Sequence, residues 1–116
     1  MVTIYHNPQW SKSRKSVEIL NKLGVNFKII EYTKSGFTIN DIKSISKKLK
    51  LKPNNFIRFN DKFFKNNSNY NKQTDCEKLT KLIVKYPKLI ERPIIIKENN
   101  AIIARPPELI NDFLLQ

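Results

Sequence analysis

The chain has few of the residues that build disulfide frameworks and metal sites: its 116 residues include one cysteine, Cys76, and one histidine. A single cysteine excludes an intrachain disulfide and a cysteine-rich zinc site, so we expect no metal. No apolar run approaches the roughly 20 residues of a membrane-spanning helix. The N-terminus goes straight into alternating residues, without the basic and apolar regions of a secretory signal. These absences predict a cytoplasmic protein that has no membrane segment.

The net charge of +12 raises the question of a nucleic-acid partner. Lysine supplies 18 of the 22 basic residues, and the lysines are spread from Lys12 to Lys97 without forming one tract. Lysine, asparagine and isoleucine are all abundant, a bias typical of AT-rich genomes. We therefore interpret the lysines as a solvated basic surface and expect no nucleic-acid site.

Arginine is scarce in this lysine-rich chain, so its positions are informative. Guanidinium is planar and can hold an oxyanion through two parallel hydrogen bonds, whereas the lysine ammonium is a point charge. The arginines therefore indicate positions where lysine would not serve. They are Arg14, Arg58, Arg92 and Arg105.

The first third of the chain has the pattern of a β-α-β unit. Residues 2–6 alternate as a half-buried strand does, and a polar loop follows. Apolar residues at helical spacing predict a helix over 13–23, which Gly24 ends. Residues 27–32 return to a strand pattern. Two strands joined by a helix predict the start of a parallel sheet.

A helical insert is predicted over about 38–86. Thr38 and Asp41 have the spacing of a capping box, which begins a helix. Thr74 and Glu77 form a second such pair, and we expect them to open a helix that ends near residue 86. The insert therefore contains at least two helices.

The end of the chain has the pattern of a β-hairpin and a helix. Residues 93–97 and 101–104 are β-branched apolar runs. Asn99 and Asn100 lie between them, and asparagine tolerates the positive φ of a tight turn. A pair of prolines then precedes an apolar helical pattern over 107–115, the last predicted helix.

The complete order is β-α-β, a helical insert and β-β-α, which predicts one α/β domain over 1–116. We expect a mixed four-stranded sheet flanked by helices, with the first two strands parallel. The strands that contain Ile94 and Ile103 pair antiparallel at one side. The helices over 13–23 and 107–115 cover one face of the sheet.

Three motifs resemble those of the glutaredoxin-dependent arsenate reductase family. Residues 4–14 (IYHNPQWSKSR) are similar to its active-site loop, and residues 89–95 (LIERPII) are similar to the segment that carries its cis-proline. Residues 104–108 (ARPPE) resemble its C-terminal arginine motif, and residues 56–58 (FIR) match a looser fourth motif. The likeness covers essentially the whole chain and is closest to the shorter members. It implies a thioredoxin-like fold.

The resemblance also implies a reaction. In the family, a low-pKa thiolate at the N-terminus of the first helix attacks arsenate, and glutathione and glutaredoxin reduce the adduct. Three arginines, here Arg58, Arg92 and Arg105, hold the anion. Helix N-terminal amides and guanidinium groups stabilise both the oxyanion and the thiolate. We therefore expect arsenate or a similar oxyanion as substrate, glutathione as reductant, no bound cofactor and a monomer.

Four further residues match positions of the family site. His6 lies where the family has a histidine near the nucleophile; the alternative is a strand-end histidine bonded to the backbone. Ser13 and Arg14 match residues that shape the loop, and for Arg14 the alternative is a charge on the helix surface. Pro93 matches the proline whose preceding peptide bond is cis.

The position of the family's nucleophile holds Trp10. An indole has one N–H donor and no thiolate, so it cannot attack arsenic. Three explanations stay open. Trp10 is genuine, or it is an artefact or a substitution of cysteine, whose codons differ from the tryptophan codon at one base, or it stands for a translated UGA codon that encodes selenocysteine. Cys76 is a poor substitute, because a lone cysteine in a helix is more often a small structural residue.

Two hypotheses of function follow. The first is a thiol- or selenol-dependent oxidoreductase that acts on arsenate or a similar oxyanion. The second is an inactive oxyanion- or protein-binding module of the same fold, similar to redox-sensing transcription regulators. Those regulators commonly carry Cys-x-x-Cys at the positions that match Trp10 and Ser13, and neither is cysteine here. The sequence therefore favours the first hypothesis.

Overall fold

The computed structural model describes residues 1–115. Gln116, the last residue of the predicted domain, lies outside the described residues. The elements are β1 (Val2–Tyr5), α1 (Ser11–Leu23), β2 (Phe27–Ile30), α2 (Tyr32–Ser35), α3 (Ile39–Leu49), α4 (Cys76–Lys85), β3 (Ile94–Lys97), β4 (Asn100–Ile103) and α5 (Leu109–Leu115), with short 3₁₀ turns at Pro53–Asn55, Lys62–Lys65 and Pro87–Leu89.

The chain divides into two compact units. The first comprises Met1–Ser35 together with the chain from Arg92 onward, and it contains the sheet. The second, Gly36–Glu91, contains the predicted insert. A single domain over 1–116 stays a prediction.

Within residues 1–115, the sheet of the first unit has the strand order β2-β1-β3-β4. Strands β1 and β2 are parallel, with Ile4 opposite Ile29. Strand β3 is antiparallel to β1, and it pairs with β4 so that Ile94 lies opposite Ile103. The predicted mixed four-stranded sheet, its parallel first pair and its antiparallel hairpin are confirmed.

Helices α1 and α5 pack on the same face of this sheet. Leu20 of α1 and Ile110 and Phe113 of α5 form one buried cluster with Ile4 of β1 and Ile95 of β3. Burial of such apolar side chains is the main favourable term in folding. The predicted cover of one sheet face by the first and last helices is confirmed.

The second unit contains α3 and α4, which pack against each other. The capping box of α3 forms as predicted: the Asp41 backbone N–H donates to Thr38 Oγ1 over 3.1 Å, and the Thr38 N–H donates to Asp41 Oδ2 over 2.8 Å. The predicted box of α4 is wrong. Asp75 is the N-cap and makes no side-chain cap bond. Thr74 Oγ1 instead accepts the Asn71 N–H over 2.9 Å, because residues 71–74 form a turn of their own.

Three other expectations in the first unit are corrected. The predicted second strand ends at Ile30, and α2 begins at Tyr32, because the Glu31 carbonyl accepts turn hydrogen bonds. The positive φ of the hairpin, 56°, belongs to Glu98 and to neither asparagine. The last helix begins at Leu109, because the carbonyls of the two prolines before it accept turn hydrogen bonds.

No helix among the described residues is long and apolar enough to cross a membrane.

Candidate active site

The loop between β1 and α1 is folded around Asn7, which is buried. The Trp10 backbone N–H donates to the Asn7 carbonyl over 3.1 Å, and the Gln9 N–H donates to the Asn7 side-chain oxygen over the same distance. Asparagine commonly closes such turns with its side chain. These two hydrogen bonds therefore fix the loop next to the start of α1, where residue 10 lies.

A buried hydrogen-bond network holds the base of this loop. His6 ends β1, and its Nδ1 lies 2.6 Å from the hydroxyl oxygen of Ser13 in the first turn of α1. The same oxygen accepts the Asn7 backbone N–H over 3.0 Å. A hydroxyl has one proton and two lone pairs, so Ser13 can bond Nδ1 and the Asn7 N–H at the same time. His6 therefore bonds the Ser13 side chain at the base of the loop that carries residue 10.

The surroundings of His6 favour the neutral imidazole. Burial lowers the pKa of His6 below its ordinary value of 6.5, Glu31 acts in the opposite direction, and the positive charge of Arg14 lowers the pKa further. Removing a charged group from water disfavours its charged form. His6 therefore enters the site as a neutral hydrogen-bonding group at neutral pH.

Arg14 is exposed, yet it contacts the loop. Its Nη1 donates to the Pro8 carbonyl oxygen over 2.9 Å. The contact joins the second turn of α1 to the loop that precedes Trp10. Arg14 therefore combines an exposed position on the helix with a bond that shapes the loop.

Trp10 is the N-cap residue of α1, with φ −107° and ψ 129°. Its carbonyl accepts the Arg14 backbone N–H over 3.1 Å, while its side chain makes no cap hydrogen bond. The first turn of α1 contains no acidic residue. A side chain at residue 10 therefore lies at the positive end of a 13-residue helix, where negative charge is stabilised.

Arg92 stacks on Trp10. The guanidinium carbon of Arg92 lies 3.5 Å from the centroid of the indole ring, a cation–π contact. Arg92 is 4% exposed and Trp10 is 42% exposed. One of the predicted anion-binding arginines is therefore in direct contact with the residue at the nucleophile position. The sequence motifs put both residues in one site, but no pattern in them predicts the stack.

Arg105 also lies in the first unit. It is exposed and follows β4, and its backbone N–H donates to the Ile103 carbonyl over 2.9 Å. The peptide bonds Arg92–Pro93 and Arg105–Pro106 are both cis. The first is the bond for which the resemblance implies this geometry, and no motif predicts the second.

Arg58 belongs to the second unit. Its side chain is 14% exposed, and its Nη1 lies 3.5 Å from Asp61 Oδ2. Its backbone N–H donates to the Leu89 carbonyl over 2.8 Å. No motif predicts the contact with Asp61, although a spacing of three residues permits it. That Arg58, Arg92 and Arg105 hold one anion stays a prediction.

Cys76 is the first residue of α4 in the second unit, and its thiol is exposed and free. Among the described residues, no group of three or more His, Cys, Asp or Glu side chains is arranged to hold a metal ion. Cys76 is therefore not part of such a group.

Comparisons with known proteins identify the family. Residues 5–113 match the model of the ArsC family. The chain is 36% identical to an arsenate reductase of Haemophilus influenzae over 114 residues, which cover 97% of this chain and 98% of the relative. It is 31% identical to an arsenate reductase of Neisseria meningitidis serogroup A over 114 residues, which cover 97% of each chain.

The fold agrees with this relationship. The structure of an arsenate reductase from Vibrio cholerae superimposes with a TM-score of 0.89 at 30% identity, and the match covers 96% of this chain and 95% of the other. The predicted thioredoxin-like α/β fold is confirmed. The chain belongs to the ArsC family.

Proposed function

We propose that the chain carries an arsenate-reductase-type oxyanion site in which residue 10 is the reactive position. The observation that carries this proposal is the place of Trp10, at the N-cap of α1 and in contact with the guanidinium group of Arg92. A helix N-terminus and a guanidinium group both stabilise negative charge. The relatives named arsenate reductase support arsenate as the substrate.

The chemistry needs a thiolate or selenolate at residue 10. Either group would be stabilised at this helix N-terminus beside Arg92, which lowers its pKa and makes it a nucleophile at neutral pH. It attacks the arsenic of arsenate, and one oxygen leaves as water after it is protonated. Thiol reductants then break the bond between residue 10 and arsenic. Overall, arsenate and two thiols give arsenite, one disulfide and water, and we propose glutathione and glutaredoxin as the source of the thiols.

With Trp10, this chain cannot form that bond, and we propose that it does not reduce arsenate. The cysteine codons, the tryptophan codon and UGA differ from one another at one base. Reading the codon for residue 10 therefore distinguishes a cysteine codon, UGA and the tryptophan codon. A cysteine codon or UGA favours a reductase, whereas a tryptophan codon favours a binding module.

The proposed anion ligands are Arg58, Arg92 and Arg105. Replacing each by lysine, in a chain with cysteine at residue 10, retains the charge and removes the planar pair of donors. We expect each change to lower kcat/KM for arsenate by roughly 10-fold or more, since one lost charged hydrogen bond costs about 1.5–3 kcal/mol. Lys22→Arg is the control, because Lys22 is exposed in the last turn of α1 and pairs with Glu18. An unchanged kcat/KM in all three variants would contradict the proposed ligands.

The second candidate function is a module that binds an oxyanion without reducing it. The observation that favours it is the stack itself, because the indole lies on the guanidinium face of Arg92 in close contact. We expect the protein in either case to act as a monomer without a bound cofactor.

A further inference from the structure

The indole of Trp10 and the guanidinium group of Arg92 form one unit at the proposed oxyanion site. With 3.5 Å between the guanidinium carbon and the ring centroid, the two groups are at van der Waals contact. Arg92 is almost completely buried, whereas the indole is partly in solvent. Cation–π contacts gain strength as the cation is removed from water. Because Arg92 is buried, we expect this stack to be stronger than a cation–π contact at the protein surface.

Backbone hydrogen bonds hold the chain in place at both residues of the stack. Trp10 is held by hydrogen bonds from its N–H to the Asn7 carbonyl and from the Arg14 N–H to its carbonyl. Arg92 directly precedes Pro93, whose carbonyl accepts the Ala104 N–H over 2.8 Å where β3 and β4 meet. The stack consequently joins the start of α1 to the start of the β3–β4 hairpin.

A stacked guanidinium group still suits an oxyanion. The indole covers a face of the guanidinium plane, whereas the N–H donors of this group point outward within the plane. An oxyanion that accepts two parallel bonds approaches in that plane. Stacking also limits rotation of the arginine side chain, so less conformational entropy is lost when the anion binds.

We infer that Trp10 is a positioning residue, which holds Arg92 by stacking so that this chain binds a tetrahedral oxyanion such as arsenate reversibly. The inference rests on the proposed oxyanion site and adds a role for the indole itself. The opposite hypothesis is that the indole obstructs Arg92, so that removing the indole improves anion binding. The two hypotheses predict opposite effects of one substitution.

The test is isothermal titration calorimetry with arsenate at constant ionic strength, on the Trp10 chain and two variants. Trp10→Phe retains an aromatic face, and we expect its Kd to stay close to that of the Trp10 chain. Trp10→Ala removes the face, and we expect arsenate binding to weaken by roughly 3- to 30-fold, the range that cation–π energies imply. Recovery in Trp10→Phe distinguishes stacking from a general effect on the loop.

Thermal unfolding of each variant checks that it is folded. The Trp10 side chain makes no cap hydrogen bond, so Trp10→Ala removes no side-chain cap of α1. Trp10 is the single tryptophan of the chain, so its fluorescence gives a second measurement. We expect arsenate to change the emission of the Trp10 chain and Arg92→Lys to abolish that change.

The outcomes separate the inference from the proposed function. Equal or tighter arsenate binding by Trp10→Ala overturns the inference, and so does an absence of arsenate binding by the Trp10 chain. If Trp10→Cys reduces arsenate in either case, the proposed function stands without the inference. If the Trp10 chain binds arsenate with the expected order of variants while Trp10→Cys is inactive, the stack is supported and the reductase proposal fails.

Discussion

The Nδ1 atom of His6 lies 2.6 Å from the hydroxyl oxygen of Ser13, so a buried hydrogen bond joins the end of β1 to the first turn of α1. The same hydroxyl oxygen accepts the backbone N–H of Asn7. Three groups that would otherwise be buried without partners thus satisfy one another. The network fixes the loop that carries Trp10, and its parts can be tested separately.

Ser13→Ala should destabilise the protein. The change leaves the Asn7 N–H and His6 Nδ1 without this partner in a buried place, which costs about 1–3 kcal/mol in the free energy of unfolding. Chemical denaturation measures the loss. Ser11→Ala is the matched control, because Ser11 is exposed in the same turn, and its effect should stay within about 0.5 kcal/mol. Equal losses in the two variants would show that the Ser13 network contributes nothing.

The free energy of unfolding should depend on the ionisation of His6. Burial lowers the pKa of His6 below 6.5, so the unfolded chain binds the proton more readily than the folded chain does. The contribution of His6 is fully present above pH 6.5 and is lost as the pH falls through the lower folded pKa. Because His6 is the single histidine, His6→Asn should remove this pH dependence from denaturation curves. An unchanged slope below pH 6.5 in His6→Asn would assign the effect to other groups.

The capping box of α3 should contribute measurably to stability. Thr38→Ala removes the acceptor of the Asp41 N–H, and loss of such a cap costs about 1 kcal/mol in the free energy of unfolding. Thr33→Ala is the control, since Thr33 is exposed within α2. A loss in Thr38→Ala no larger than in Thr33→Ala would contradict a stabilising cap.

The sheet could be predicted because its signals are local and agree with one another. The alternation in β1 and the run of isoleucines in β3 each predict a strand. Short connections between consecutive elements limit how the strands can pair. The antiparallel partners Ile94 and Ile103 follow from one tight turn. The capping box of α3 is likewise encoded within four residues.

The expectations that were wrong depended on choices between competing local bonds. Thr74 has the spacing of a cap, but its hydroxyl oxygen bonds the Asn71 N–H instead. In the hairpin, Glu98 adopts the positive φ although asparagine tolerates it better, because the strand register places Glu98 first in the turn. Such choices depend on tertiary context, which a single sequence pattern does not contain.

The resemblance predicts which residues form the candidate site, but it does not predict the contacts between them. The motifs name Trp10, Arg92 and His6, but neither the stack nor the hydroxyl bond of His6 follows from them. The stack joins residues that are far apart in sequence, and the geometry of both contacts depends on how β1, α1 and β3 pack. The stack also adds a contact to a residue that the motifs mark only as lacking a thiolate.

Cys76 should contribute nothing to arsenate reduction. It is an exposed residue at the start of α4, in the unit that does not contain Trp10. In a chain with Trp10→Cys, Cys76→Ser should leave the arsenate-dependent rate unchanged, and intact protein mass under oxidising conditions checks whether the two thiols form a disulfide. A large loss of rate in the double variant would make Cys76 part of the reaction.

The central claim is that residue 10 is the reactive position of an arsenate-reductase-type site. The most direct measurement is arsenate-dependent NADPH oxidation with glutathione, glutathione reductase and glutaredoxin, on the Trp10 chain and on Trp10→Cys. We expect no activity above background with Trp10 and clear activity with Trp10→Cys, because loss of an essential nucleophile lowers the rate on the order of 10⁶-fold. Reduction of arsenate by the Trp10 chain, or inactivity of a folded Trp10→Cys chain, would contradict the account.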